Sequence, residues 1–355
     1  MKFTRSARRR DREPRGEVAG GGGAQLRTDE VSRHAVRLVV IDDDLARLVP
    51  FATLPQLLRA GDLVVLNDAA TLPGSLPGSA GDGAVFELRL SGPVDGNRLT
   101  GVLLGPGDHH TRTEHRAAPP MLAVGERVRI GSFSAIVTAA TGRRVELIAS
   151  LAGDDLWQAI YAMGAPVQYA HRAELLPLYA VQTSYAARPW AAEMPSAGRP
   201  LTWDVLLGLR RAGIELATLT HAAGLSSTGD EGLDRALPWP ERYELPAKTV
   251  AAIAWAKARG GRVIAVGTTV VRALEAAAQP DGELAAGSGV ATLRLDPAYV
   301  PRITDGLISG LHAPGESHFE LLQAFAPRDQ LERGLVLAAA QGLSSHELGD
   351  ACLIL

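Results

Sequence analysis

Residues 261–275 read Gly-Arg-Val-Ile-Ala-Val-Gly-Thr-Thr-Val-Val-Arg-Ala-Leu-Glu. An apolar strand there runs into a Gly-Thr-Thr turn that opens a helix. Free backbone N–H groups and two hydroxyls then converge where a carboxylate or phosphate can dock, which makes Gly267, Thr268 and Thr269 candidate ligand-binding residues. Local physics alone favours a plainer role, with Thr268 or Thr269 as an N-cap. Residues 305–317 set His312 behind an apolar run and beside Pro314 and Gly315, which gives the exposure and rigidity that proton transfer needs; a structural histidine is the alternative. His221 closes a third group with Gly224, Ser226 and Ser227. In the fourth, Asn67 and Asp68 follow an apolar run, placed to orient a ligand or to cap the next element.

These groups need elements to position them. Strands are expected over residues 36–41, 63–66, 214–219 and 262–266, and helices over 54–59, 156–163, 204–212, 247–259 and 270–278. Their alternation argues for a layered α/β body with helices on both faces of a sheet. His221 and Thr268 both follow strands, at the carboxyl ends where ligands of such sheets bind. After the strand at 63–66 the chain changes character over residues 76–150. Short apolar runs at 85–90, 98–104, 127–130, 135–138 and 143–148 are broken by Gly, Pro and Asp, as in a small all-β barrel or sandwich. The expected organisation is a disordered basic leader over 1–28, a body of 29–75 and 151–355, and an inserted β-barrel-like domain over 76–150.

Composition narrows the chemistry. Cys352 is the only cysteine, which excludes an intrachain disulfide and a CxxC zinc site. The alanines before Lys248 and Lys257 exclude a phosphate-binding GxxxxGK[ST] loop, and neither GxSxG nor HExxH occurs. His109, His110 and His115 fall in a polar loop without carboxylates at ligand spacing, so no metal is expected. No apolar run approaches the length of a membrane span or a secretory signal, so a cytoplasmic protein without membrane association is expected. Residues 1–16 carry seven basic against two acidic groups in a chain of formal net charge −3. That arm can add phosphate contacts, although a solvated leader explains it as well.

Read in order, the motifs resemble those of the S-adenosylmethionine:tRNA ribosyltransferase-isomerases. Residues 265–275 look like the family's AVGTTxVRxLE, which brings in Arg272 and Glu275. Leu66-Asn67-Asp68 resembles NDT, Gln182-Thr183-Ser184-Tyr185-Ala186 resembles QTxYA, and Pro195-Ser196-Ala197-Gly198 resembles PTAG. Thr220-His221 with Gly224 resembles TLHVG, residues 308–314 resemble ITNFHLP, and Gly349-Asp350-Ala351 resembles part of YGDAML. The likeness spans about residues 37–353 and is weakest in the β insert.

The resemblance implies an α/β body with an inserted β-barrel. It also implies transfer and isomerisation of the ribosyl group of S-adenosylmethionine, the co-substrate, onto a 7-aminomethyl-7-deazaguanine base of tRNA, forming epoxyqueuosine with release of adenine and methionine. Such chemistry needs a base at the carbon beside the sulfonium, an acid for departing adenine and a neutral attacking amine. His221, His312, Asp68, Glu275 and Asp350 are the candidate catalytic groups. Gly267, Thr268, Thr269, Arg272, Asn67, Gln182, Tyr185, Ser196, Gly198 and Ser317 are the candidate co-substrate contacts, and a monomer is expected. Departures concern the acceptor: Ala69-Ala70 stands where the family has Thr-Arg, Arg199-Pro200-Leu201-Thr202 where it has Leu-His-Phe-Thr, Glu316 where it has a hydroxyl, and residues 344–348 where it has RFFSY. A small-molecule acceptor, or a binding protein without turnover, is the alternative these changes raise.

Overall fold

The central strands form because their sequences can be buried on both faces. Leu63–Asn67 (LVVLN) and Val263–Val266 (VIAV) are buried at every position, as in parallel sheets covered on both sides. The computed structural model describes residues 32–42, 45–169, 174–345 and 348–355; the expected leader over 1–28 lies outside them. Among the described residues, nine strands form one sheet in the order Gly287–Ala291, Glu241–Leu245, Glu215–His221, Leu63–Asn67, Val263–Val266, Gly306–Gly310, Ala351–Ile354, Arg37–Ile41 and Ala46–Pro50. The third to sixth of these run parallel.

Strand period two sorts side chains into two cores. Val39, Ile41, Leu63, Val65, Val263 and Ala265 face the helices Ala247–Ala258, Thr268–Ala277, Ser317–Leu322 and Arg328–Ala340. Leu38, Val40, Val64, Leu66, Ile264 and Val266 face Leu54 and the helix Trp203–Arg211, through its Val205, Leu206 and Leu209. The layered α/β expectation therefore holds.

The insert closes on itself. Strands Arg144–Ala149, Arg98–Leu104, Val85–Leu90, Ser75–Ser79, Arg127–Ile130 and Phe133–Thr141 form a closed barrel in that order, which leaves no exposed sheet edge. Leu76, Leu88, Leu99, Val128, Val137 and Leu147 fill it. Helix Gly153–Met163, assigned to the body by chain order, packs Leu156 and Ile160 into this barrel core instead. The reason is spatial: Ala165, just beyond the helix, bridges back to Ser75 and holds it against the barrel mouth.

Local pattern failed in identifiable places. The helix expected over 54–59 is one turn, Leu54–Leu57, behind a 3-10 turn at Phe51–Thr53. Strand Gly306–Gly310 (GLISG) has the composition of a loop, yet all but its last position are buried between two flanking strands. Ala69–Thr71 and Arg188–Ala191 pair as a separate parallel ladder whose strands are too short for a periodic signal.

Candidate active site

Because four neighbouring strands run parallel, their carboxyl ends line one edge of the sheet, where the crevice of such a fold lies. Asn67, His221 and Val266 end three of them, and His312 stands two residues beyond the fourth. The amide of Asn67, fully buried, ties three segments together. Its Nδ2 donates to the His221 carbonyl at 3.0 Å and to Thr269 Oγ1 at 3.3 Å, while its Oδ1 accepts from the His221 N–H at 2.9 Å and the Ala69 N–H at 3.1 Å. Half-buried Asp68 accepts from Thr220 Oγ1 at 2.5 Å.

Gly267 turns the chain from strand to helix at φ +89°, a conformation reserved for glycine. It is itself the N-cap, and no side chain caps the helix. The N-cap reading of Thr268 or Thr269 is thereby corrected. Both lie inside the first helical turn, and the Thr269 hydroxyl accepts from Asn67 rather than from the helix.

His221 is completely buried, and neither ring nitrogen has a hydrogen-bond partner among the described residues. Its Nε2 faces Glu241 Oε2 at 3.5 Å. Glu241 is also bound to the Arg272 guanidinium and accepts the Gly224 N–H at 2.6 Å. Burial, reinforced by the positive charge of Arg272, pulls the His221 pKa down to about 3, so the ring is neutral at physiological pH. Arg272 donates further to the carbonyls of Leu293, Trp239 and Ala291. Burial lowers its pKa to about 10 despite the ion pair, which leaves it protonated. Arg272 thus reaches His221 through Glu241, and its own donors are spent on protein groups.

Glu241 was not foreseen. The alternation of Glu241, Tyr243 and Leu245 inward with Arg242 and Glu244 outward was the available signal.

His312 keeps partial exposure. Its Nε2 lies 3.2 Å from Ser309 Oγ and its Nδ1 3.4 Å from Glu316 Oε2, and its ring stacks on His318 at 4.7 Å. The hydrogen bond from His312 holds the Glu316 carboxyl below its ordinary pKa. His318, a further histidine the motif reading passed over, has its pKa lowered to about 4 by burial and by the charges of His312 and Arg272.

The turn Ser196–Gly198 lies against the same edge, since Ala197 is the nearest side chain of another segment to Gly267. Gly198 leaves room for Tyr185, whose hydroxyl would collide with any side chain there. Burial, then the Asp68 charge, pushes the Tyr185 pKa up, keeping the phenol protonated. The buried hydroxyls of Thr183 and Thr202 lack hydrogen-bond partners among the described residues.

Other nominated residues are occupied elsewhere. Glu275 accepts from the N–H groups of Arg302, Ile303 and Thr304 and from the Tyr299 hydroxyl, all before strand Gly306–Gly310 and hence at the amino edge of the sheet. Helix Thr268–Ala277 carries it there, about 10 Å along its axis from the Gly-Thr-Thr turn at 1.5 Å per residue. Asp350 pairs with Arg37 at 2.9 Å and accepts the Arg37 and Ser344 N–H groups, so it fastens two chain segments. Gln182 spends both ends of its amide on the backbone of Thr71. Ser317, at the start of its helix, is exposed. Glu275, Asp350 and Gln182 thus each have polar atoms hydrogen-bonded to other parts of the protein.

Among the described residues no group of three or more His, Cys, Asp or Glu is placed to hold a metal ion, and no helix is long and apolar enough to cross a membrane.

Comparison with known proteins finds relatives over most of the chain. The chain is 33% identical over 331 residues to the S-adenosylmethionine:tRNA ribosyltransferase-isomerase of Trichlorobacter lovleyi, covering 91% of this chain and 93% of the relative. It is 34% identical over 335 residues to the protein of that name from Gloeobacter violaceus, covering 91% and 90%. A crystal structure of S-adenosylmethionine tRNA ribosyltransferase from Thermotoga maritima matches with a TM-score of 0.48 at 23% identity, over 91% of this chain and 93% of that one. The family described as queuosine biosynthesis protein matches residues 24–354, and this chain belongs to it.

Proposed function

We propose that the protein transfers and isomerises the ribosyl moiety of S-adenosylmethionine onto the 7-aminomethyl-7-deazaguanine base of tRNA, giving epoxyqueuosine and releasing adenine and methionine. The observation that carries the reading is the convergence of Asn67-Asp68, His221, Gly267-Thr268-Thr269 and His312 on one sheet edge, in a chain of this family.

The residues fit the co-substrate. The uncapped helix start at Gly267 suits a carboxylate, and the unpartnered nitrogens of His221 and hydroxyls of Thr183 and Thr202 are buried polar atoms of the kind a ligand satisfies. Bound S-adenosylmethionine supplies a sulfonium that acidifies the neighbouring ribose C5′ protons. Neutral His221, whose Nε2 faces the Glu241 carboxylate at 3.5 Å, is the group for taking up such a proton. Asn67 fixes the main chain that carries His221. His312, partly exposed between Ser309 and Glu316, is the group for delivering a proton to departing adenine. Asp68 draws the acceptor's amine and takes its proton on attack. The strand ends bearing His221 and the His312 loop lie three strand spacings apart, about 14 Å, which suits separate duties for the two histidines. A monomer in the cytoplasm belongs to the same reading.

The test is incubation of the purified protein with S-adenosylmethionine and tRNA carrying the aminomethyl-deazaguanine base, following adenine by chromatography beside a no-tRNA control. Adenine that forms only with that tRNA supports the reading. Binding of the co-substrate without adenine release points to another acceptor, and absence of binding refutes the assignment.

A further inference from the structure

Strand Arg188–Ala191 runs beside Asp68: its Arg188 stands in register with Ala69, and the Asp68 carbonyl accepts the N–H groups of Ala187 at 2.8 Å and Arg188 at 3.4 Å. Trp190, half-buried, packs against Ala69, Ala191 and Ala223, one residue beyond Asp68 and two beyond His221. Two guanidinium groups lie over its ring, Arg188 Cζ at 5.8 Å and Arg242 Cζ at 5.2 Å from the centroid. Arg188 is fixed by both carboxylate oxygens of Glu244, at 2.5 and 3.1 Å. The exposed Arg242 guanidinium has no hydrogen bond or ion pair among the described residues.

An indole with guanidinium groups is the combination that holds unpaired nucleotides, because every base offers a π face and every linkage a negative charge. In a chain of net charge −3 these cations are not part of a generally basic surface. We propose that Trp190, with Arg188 and Arg242, is the platform on which the acceptor tRNA lays an unpaired base neighbouring the modified one, with Arg242 contacting the adjoining phosphate. The inference rests on the tRNA reading above and adds the residues that seat the RNA.

The experiment measures adenine release against tRNA concentration at saturating S-adenosylmethionine for wild type, Trp190→Ala, Trp190→Phe, Arg242→Ala and the distant Arg328→Ala, with co-substrate binding followed by calorimetry. Trp190→Ala is expected to raise KM for tRNA roughly tenfold with kcat and co-substrate affinity little changed, and Trp190→Phe to restore most of it. Arg242→Ala is expected to reduce the dependence of log KM on log salt by about one. Arg328→Ala, on a surface helix paired with Glu332, keeps the wild-type KM. Unchanged KM in both Trp190→Ala and Arg242→Ala overturns the platform, and so does a parallel loss of co-substrate affinity, which assigns Trp190 to packing. Wild-type protein that releases no adenine with tRNA refutes the tRNA reading and the platform with it.

Discussion

The side-chain amide of Asn67 holds the main chain of His221 from both sides, accepting from its N–H at 2.9 Å and donating to its carbonyl at 3.0 Å. Strand pairing between the two segments ends one step earlier, at Leu219 and Asn67, so a side chain continues the ladder that backbone no longer supplies. Asn67→Ala leaves the buried His221 N–H without its acceptor, while the His221 carbonyl keeps the Ala223 N–H at 2.9 Å, and is expected to cost about 1 to 3 kcal/mol. Urea denaturation reads that cost. Adenine release should fall more than the loss of folded protein explains, because the His221 ring is no longer fixed.

Arg272 and Glu241 are a buried pair, and removing one charge strands the other. Arg272→Ala is expected to lose about 3 to 5 kcal/mol, whereas the double change Arg272→Met with Glu241→Leu should recover part of it, since no buried charge is stranded although the Gly224 N–H and the carbonyls of Leu293, Trp239 and Ala291 lose these partners. Thermal unfolding of the three proteins checks this. Turnover stays low in the double variant if Glu241 also serves His221; wild-type turnover there would remove Glu241 from the mechanism.

Gly267→Ala forces a side chain into φ +89° while its β-carbon meets only ordinary contacts, to Thr269 and Ala197. Backbone strain of about 1 to 3 kcal/mol is therefore the expected penalty. The turn is expected to relax away from this geometry, weakening S-adenosylmethionine binding in calorimetry by at least tenfold. A variant with wild-type affinity would separate the turn from the ligand.

His221→Ala and His312→Ala are each expected to lower single-turnover adenine release by about 10²- to 10⁴-fold. Glu275→Gln behaves differently, because its carboxylate gathers loop N–H groups and the Tyr299 hydroxyl: it should lower the melting temperature and leave the chemical rate per folded molecule intact. If both histidine variants keep wild-type rates, the acid–base assignment fails.

His318 has its folded-state pKa lowered to about 4, below the ordinary value of 6.5. The unfolded chain therefore binds a proton between those two pH values that the folded chain refuses. Its contribution to stability is complete above pH 6.5 and is lost as pH falls toward 4. The melting temperature of His318→Gln should decline less steeply than that of wild type across this window. Identical slopes in the two proteins would show that other groups carry the acid sensitivity.

The sequence by itself determined what near neighbours decide. The buried run 263–266 and its Gly-Thr-Thr turn, the barrel strands between residues 85 and 149, and the motif order that marks the family are all local properties. Period and turn chemistry depend on residues a few positions apart. The tertiary structure alone decided which polar groups work together. Asp350 meets Arg37 across 313 residues, Asn67 meets His221 across 154, and Glu241 enters the site from a strand whose alternation is brief. Glu275 belongs to the same motif as Gly267, yet it ends at the opposite edge of the sheet because the helix between them carries it there. Whether a carboxylate is an acid, a clamp or a partner depends on the desolvation and donors around it, and those come from chain segments that only the fold brings into contact.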